Sequence, residues 1–237
     1  MSSYIVTGAS SGIGRATAVA LAERGASVLA IARRVGPLAE LAAGHPGLVQ
    51  TLAADLATEE GLAALVERAA ALADTDGIDG VVHAAGSLVP VEPYGELDSD
   101  ALTDHFRVHV ATPIEINNRL ADQLRGGRVV YIDSFSAASP RAGWSAYSIV
   151  KAAAQMAARA ASQELDDVHV VRIFPGGVRT PLVDGVLADR SSPVGDVFRE
   201  LQAAGELAEP DDVGRYIARI ATEMSTEELR TTEFWEY

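Results

Sequence analysis

The sequence predicts an α/β fold: a parallel sheet of about seven strands covered by helices on both faces, in three layers. Three observations carry it. Apolar runs of strand length alternate with longer helical patterns from end to end, the pattern of repeated βαβ units. The first run passes through a glycine-rich turn directly into a helix. The 237 residues, 48% of them hydrophobic, suit one domain over 1–237 and show no repeat, low-complexity tract or interdomain linker.

Strands are expected over 3–7 (SYIVT), 27–32 (SVLAIA), 48–53 (LVQTLA), 80–85 (GVVHAA), 128–133 (RVVYID) and 169–174 (HVVRIF), with a weak seventh at 229–235 (LRTTEFW). Taken in order, the first strand leads into a helix over 13–24 that Gly25 ends. Thr58 caps a second helix opening with Glu59 and Glu60, whose charges suit the positive end of the helix dipole. Further helical patterns cover 98–124, 147–165 and 211–223. The stretch 181–210 has weak periodicity and several Gly, Pro and Ser residues, so it reads as an insertion over one edge of the sheet, placed to act as a mobile lid.

The 19 basic side chains stand against 33 acidic ones, a formal charge of −14. Extended nucleic-acid binding is excluded, because a phosphate backbone rewards clustered positive charge. The absence of cysteine excludes disulfides, thiol catalysis and cysteine-ligated zinc. Five histidines, read as scattered and without paired spacing, argue against a metal site. No basic-flanked leader precedes the first strand, and no apolar stretch approaches the roughly 20 residues of a membrane span. The chain therefore reads as soluble and cytoplasmic, with no membrane partner.

After the first strand comes TGASSGIG, residues 7–14, with Gly8, Gly12 and Gly14 in a G-x-x-x-G-x-G pattern. Such glycines let the backbone approach a pyrophosphate, which then sits on the free N–H groups of the helix that follows. At the end of the second strand an acidic residue would accept bonds from a ribose 2′-hydroxyl. Ala32 holds that place, and Arg33 and Arg34 follow, which suits a 2′-phosphate and favours NADP(H) over NAD(H). Asp55, past the third strand, accepts from an adenine amino group or caps the turn.

All but one of the basic residues are arginine; the exception is Lys151, whose compact ammonium differs from a planar guanidinium. It lies in YSIVK, four residues after Tyr147, so phenol and ammonium share one helical face. A cation beside a phenol favours the phenolate and suits Tyr147 to exchange a proton. Ser134 stands 13 residues ahead of Tyr147, and Ser136 is a second candidate at a spacing of 11.

Together, TGASSGIG, a serine 13 residues ahead of YSIVK, and PGGVRT after the sixth strand resemble the short-chain dehydrogenase/reductase family across nearly the whole chain. The resemblance implies a Rossmann-type, doubly wound sheet and hydride transfer between a nicotinamide cofactor and a carbonyl or alcohol. It implies that Tyr147 exchanges the proton, that Lys151 holds the nicotinamide ribose and favours the Tyr147 phenolate, and that Ser134 hydrogen-bonds the substrate oxygen. The cofactor contacts it implies are Gly8, Ser10, Ser11, Gly12, Ile13 and Gly14 of the turn; Arg33 and Arg34; Asp55 and Leu56; Ala85 and Gly86; Tyr147 and Lys151; and Pro175, Gly176, Val178 and Thr180.

Two positions depart from the family pattern. HAAG, with His83 first and Gly86 last, replaces NNAG, and His83 reads as a partly buried, hydrogen-bonded side chain. His109 stands where the family has a catalytic-helix asparagine that helps hold a water leading from the lysine to solvent. Pro113 has no N–H for the His109 carbonyl four residues earlier, so that carbonyl stays free to accept from water.

The alanine-dense stretch KAAAQMAARAAS suits close helix approach, and the resemblance suggests a homodimer or homotetramer through it and the preceding helix. Leu88, Phe135, Trp144 and Phe174 fall near the sheet's ligand end and point to an apolar carbonyl or alcohol substrate: alicyclic, aromatic or medium aliphatic. Two rival readings use the same residues: an NADP(H)-binding sensor or structural protein without turnover, and an isomerase or epimerase that does not consume its cofactor.

Overall fold

The strongest apolar runs become the central sheet. Among the residues described by this computed structural model (1–72, 77–88, 91–165, 167–188, 193–231 and 235–237), there are seven parallel strands. They are β1 (Ser3–Thr7), β2 (Ser27–Ala32), β3 (Val49–Ala53), β4 (Gly80–His83), β5 (Arg128–Ile132), β6 (His169–Phe174) and the two-residue β7 (Trp235–Glu236). Six are full strands, and β7 only extends the edge beside β6. The order β3-β2-β1-β4-β5-β6-β7 makes the sheet doubly wound, because β1 pairs with β2 on one side and β4 on the other. A Rossmann-type sheet of this kind opens a crevice at the carboxyl ends of β1 and β4, where the winding reverses.

Both faces of the sheet are covered. Val6, Val28, Ala30, Val82 and Val130 pack under α1 (Gly12–Glu23) and α9 (Pro210–Glu223), whereas Ile5, Leu29, Ile31, Val81 and Val129 pack against α3 (Glu59–Leu72) and α5 (Thr112–Arg119). Successive strand residues point to opposite faces, so burial on both sides demands apolar residues at every position. Helices α1 and α9 touch closely: a Cβ at Gly214 would lie 2.5 Å from the Ala16 carbonyl carbon.

Several elements differ from expectation. Helix α2 (Val35–Gly44) forms where no helix was expected; Pro37 and its glycines obscure a period carried by Leu38 and Leu41. The stretch 181–210 contains two helices, α7 (Pro181–Ala188) and α8 (Pro193–Ala204). The helix expected over 98–124 is α4 (Ser99–Phe106), a π-helical turn at Arg107–Ala111, and α5, which ends at Arg119. Pro113 lies just past the π turn, where its missing N–H breaks the α-helical ladder. At the C-terminus Leu229 and Arg230 belong to α10 (Thr226–Thr231), not a strand. Ser225 and Glu228 cap that helix reciprocally: the Ser225 N–H donates to the Glu228 carboxylate at 2.8 Å and the Glu228 N–H to Ser225 Oγ at 3.3 Å. Residues 232–234 of that expected strand lie outside the described residues. Strand β4 stops at His83 because the Ala84 and Ala85 amides turn away to Thr7.

Candidate active site

The glycine-rich turn leaves β1 at the crevice. Gly8 has φ 69° and Gly12 φ 54°, a region that side chains rarely enter. Space is closed as well: a Cβ at Gly8 would lie 2.6 Å from the Ala84 carbonyl oxygen. Thr7 Oγ1 accepts the Ala84 and Ala85 N–H groups, both at 3.1 Å, and locks the turn to the segment after β4. Ser11, the N-cap of α1, makes no side-chain cap bond, and the first helical turn carries no acid. Its N–H groups are thus directed to the crevice without a competing carboxylate, which fits a dinucleotide pyrophosphate.

The flanking residues sort themselves. Arg34 folds back over the turn, donating from Nη2 to Ser11 Oγ at 2.7 Å and to Ser10 Oγ at 3.0 Å, and both it and Arg33 are exposed. Asp55 Oδ1 accepts the Ala57 N–H at 3.0 Å, so it closes its own turn, and Leu56 is buried. Thr180 lies against Gly12, 3.1 Å from where a Cβ would sit. Of the other residues in this ring, Ile13 packs on the core, Pro175 and Val178 are buried, and Gly176 is exposed.

The second group gathers at the end of β5. Helix α6 (Ser145–Glu164) carries Tyr147 and Lys151 one turn apart, with Lys151 Nζ 5.6 Å from the centre of the Tyr147 ring. That ammonium is buried and donates to the Ile132 carbonyl at 2.8 Å. Two residues on, Ser134 Oγ accepts the Ser136 N–H at 3.2 Å, so its own hydroxyl proton remains available to donate. Ser136 itself is buried behind it. The glycine-rich turn and the Ser–Tyr–Lys group thus both lie at the carboxyl end of the sheet.

A family model described as short chain dehydrogenase matches residues 3–191. The chain belongs to that family. It is similar to the cis-4-hydroxycyclohexanecarboxylate dehydrogenase of Sinomonas cyclohexanicum, 34% identical over 94% of this chain and 90% of that protein. It is also similar to the benzil reductase ((S)-benzoin forming) of Bacillus subtilis, 28% identical over 100% of both. Among solved structures, that of the KRED1-Pglu enzyme superposes with a TM-score of 0.91 at 27% identity, covering 99% of this chain and 100% of that one. The protein is an oxidoreductase of the short-chain dehydrogenase family.

Within this family member the histidines form a structure of their own. His105 and His109 share a helical face one turn apart, ring centres 4.5 Å apart, which corrects the reading that no histidines are paired. Both bind the backbone of Ser87: His105 Nε2 lies 2.8 Å from its carbonyl, and His109 Nε2 lies 2.9 Å from the same carbonyl and 3.0 Å from the Ser87 N–H. The tautomer with His105 donating and His109 accepting satisfies both backbone groups. A Cβ at Gly86 would lie 2.6 Å from His109 Cε1, so glycine makes room for this ring. Burial, and then the positive charge of Lys151, hold His109 neutral, well below its ordinary pKa. The His109 side chain therefore grips the loop beside the cofactor crevice. The sequence signals His105 only through the four-residue spacing to His109 in HFRVH.

His83 is buried, with 7% of its surface exposed, and hydrogen-bonded. Its Nε2 donates to Asn117 Oδ1 at 2.9 Å, and Asn117 Nδ2 donates to the Tyr131 hydroxyl at 2.9 Å. Burial pushes the His83 pKa down to about 4, against the Asn117 bond that raises it. In the unfolded chain the imidazole returns to about 6.5, so the unfolded state binds the extra proton between these values. Stability is full above pH 6.5 and falls as the pH drops towards 4, by about 3 kcal/mol from this group. Urea unfolding at pH 7 and pH 4.5 should show His83→Asn flattening that loss; equal slopes in both proteins would contradict the assignment.

The wall beyond Tyr147 is apolar. Leu88, Trp144, Val186 and Val194 form a buried cluster against Tyr147 and Phe198, with the Trp144 ring centre 5.3 Å from that of Tyr147. Phe174 stacks on Phe135 at 5.1 Å, and Phe135 is exposed. No helix among the described residues is long and apolar enough to cross a membrane.

Proposed function

We propose that this protein is an NADP(H)-dependent oxidoreductase that interconverts a carbonyl compound and a secondary alcohol, with Tyr147 exchanging the proton. The observation that carries this reading is the Lys151 ammonium, anchored on the Ile132 carbonyl and facing the Tyr147 ring next to Ser134. Ser134 donates its free hydroxyl proton to the substrate oxygen and orients it. Tyr147 gives that oxygen its proton, and Lys151 stabilises the phenolate left behind. The bound nicotinamide supplies the hydride in reduction and accepts it in oxidation. Gly86, held by the histidine pair through Ser87, lines the nicotinamide side of the crevice.

Arg33 and Arg34 serve the 2′-phosphate of NADP(H). In this role Arg34 exchanges its serine hydroxyl partners for charge-assisted phosphate contacts, which are stronger. The apolar wall and the relatives named for a hydroxycyclohexane acid and for benzil support an alicyclic or aromatic carbonyl substrate. The stretch 181–210 covers that substrate in a single domain spanning 1–237. Exposed Phe106, Ile114, Ile149 and Met156 on α4, α5 and α6 supply the apolar contact of a homodimer or homotetramer.

The test is a paired titration with NADPH and NADH, followed by a panel of cyclic and aromatic ketones watched for nicotinamide oxidation. Tighter NADPH binding with turnover is expected, and Arg33→Ala/Arg34→Ala should weaken NADPH binding tenfold or more, with NADH little changed. Binding without turnover on any ketone would favour the sensor reading, and turnover without net cofactor consumption the isomerase. Sedimentation of the same preparation as a monomer would remove the subunit contact.

A further inference from the structure

The residue between Ile132 and Ser134 holds the site together in a way the proposed chemistry does not use. Asp133 is buried, and its carboxylate is met from three directions. Oδ1 accepts the N–H of Ser134 at 2.7 Å. Oδ2 accepts Gln155 Nε2 of α6 and Arg172 Nη1 of β6, each at 3.1 Å. The Asp133–Arg172 ion pair is almost wholly out of water, with side chains 3% and 6% exposed. A buried pair of this kind gains little net stability over apolar side chains of the same size, because both charges lose their hydration. What it does supply is fixed geometry.

We propose that Asp133, with Arg172 and Gln155, is the positioning group that sets Ser134 in register with Tyr147 and Lys151. This rests on the reading of Ser134, Tyr147 and Lys151 given above. Gln155 lies one helical turn beyond Lys151, on the same face of α6. The helix is therefore pinned to the end of β5 at two points a turn apart: Lys151 on the Ile132 carbonyl and Gln155 on the Asp133 carboxylate. One pin would let the helix pivot about it; two define both its axial position and its rotation. The same carboxylate fixes the Ser134 N–H, so the spacing between the serine hydroxyl and the tyrosine passes through one side chain. Arg172, reaching from the neighbouring strand, holds that carboxylate still.

Two variants separate positioning from mere structure. Gln155→Met keeps volume and both buried charges while removing the pin on α6, so it should fold; Asp133→Asn/Arg172→Gln removes both charges together. Each is assayed with NADPH and benzil or the panel ketone turned over fastest, alone and combined with Ser134→Ala, alongside amide hydrogen exchange at Ser134. Both variants should lower kcat about tenfold and leave the NADPH dissociation constant within about twofold. Asp133→Asn/Arg172→Gln should also speed exchange at Ser134. With Ser134 already replaced, that double variant should cost less than about twofold more, because the group it positions is gone. Unchanged kcat, or losses that multiply in full on the Ser134→Ala background, would overturn the proposal, as would unchanged Ser134 exchange in a protein that turns over no ketone. If Ser134→Ala alone leaves kcat intact, it is the reading of Ser134 that fails.

Discussion

Replacing Tyr147 by phenylalanine is expected to lower kcat by about a hundredfold to ten-thousandfold, the range that a positioned proton donor contributes, while NADPH binding stays as tight as in the parent. The phenol oxygen is the only atom lost. Phenylalanine keeps the ring that packs against Trp144 and the buried cluster around it, so the wall and fold survive. Lys151 keeps its bond to the Ile132 carbonyl, and the glycine-rich turn on the far side of the crevice is untouched. The measurement is NADPH oxidation under saturating ketone, with fluorescence titration of NADPH alongside. A Tyr147→Phe protein that reduces ketones at a tenth of the parental rate or faster would show that another group carries the proton. One that loses NADPH binding would show that the ring, not the proton, was the essential contribution.

Gly8→Ala is expected to destabilise the protein by roughly 2–5 kcal/mol and to abolish dinucleotide binding. Two costs add at this position. Placing an L-residue at φ 69° costs about 1–2 kcal/mol. Pressing its Cβ to 2.6 Å from the Ala84 oxygen forces a backbone shift of the kind that costs about 1–3 kcal/mol. The shift also breaks the contact between the turn and the segment after β4 that Thr7 fastens with two hydrogen bonds. Gly25→Ala supplies the control: its φ is 79° but a Cβ there meets nothing within 4 Å, so only the conformational cost of about 1–2 kcal/mol remains. Urea unfolding of both proteins measures the difference. Equal losses would mean that the close approach at Gly8 is relieved without cost.

The sheet was legible because its evidence is local and repeated. Buried parallel strands must be apolar on both faces, and six such runs stand out in the chain. Tyr147 and Lys151 were legible because a four-residue spacing on a helix has one spatial meaning. The break before α5 was legible in Pro113, which cannot donate an N–H wherever the helix lies. Even the misread C-terminus carried its answer locally, since Ser225 and Glu228 have the spacing of a reciprocal cap. Helix α2 was hidden because a short helix with two buried leucines and an early proline has almost no period to show.

The chain's local patterns carry the order of the six main strands, the glycine turn after β1, and the pairing of a phenol with an ammonium on one helical face. Each depends on residues within a few positions of one another, whose geometry the backbone dictates. The folded arrangement of the chain, and no local pattern, put Arg34 rather than Arg33 on the serines of the turn 23 and 24 residues away. It alone brought His83 to Asn117 across 34 residues, set both histidines of α4 and the π turn on Ser87, and closed Asp133 upon Arg172 across 39. These contacts join polar groups on different elements, and burial is what makes each partner necessary: out of water, a charge or an amide must find its complement in whatever the fold has packed against it.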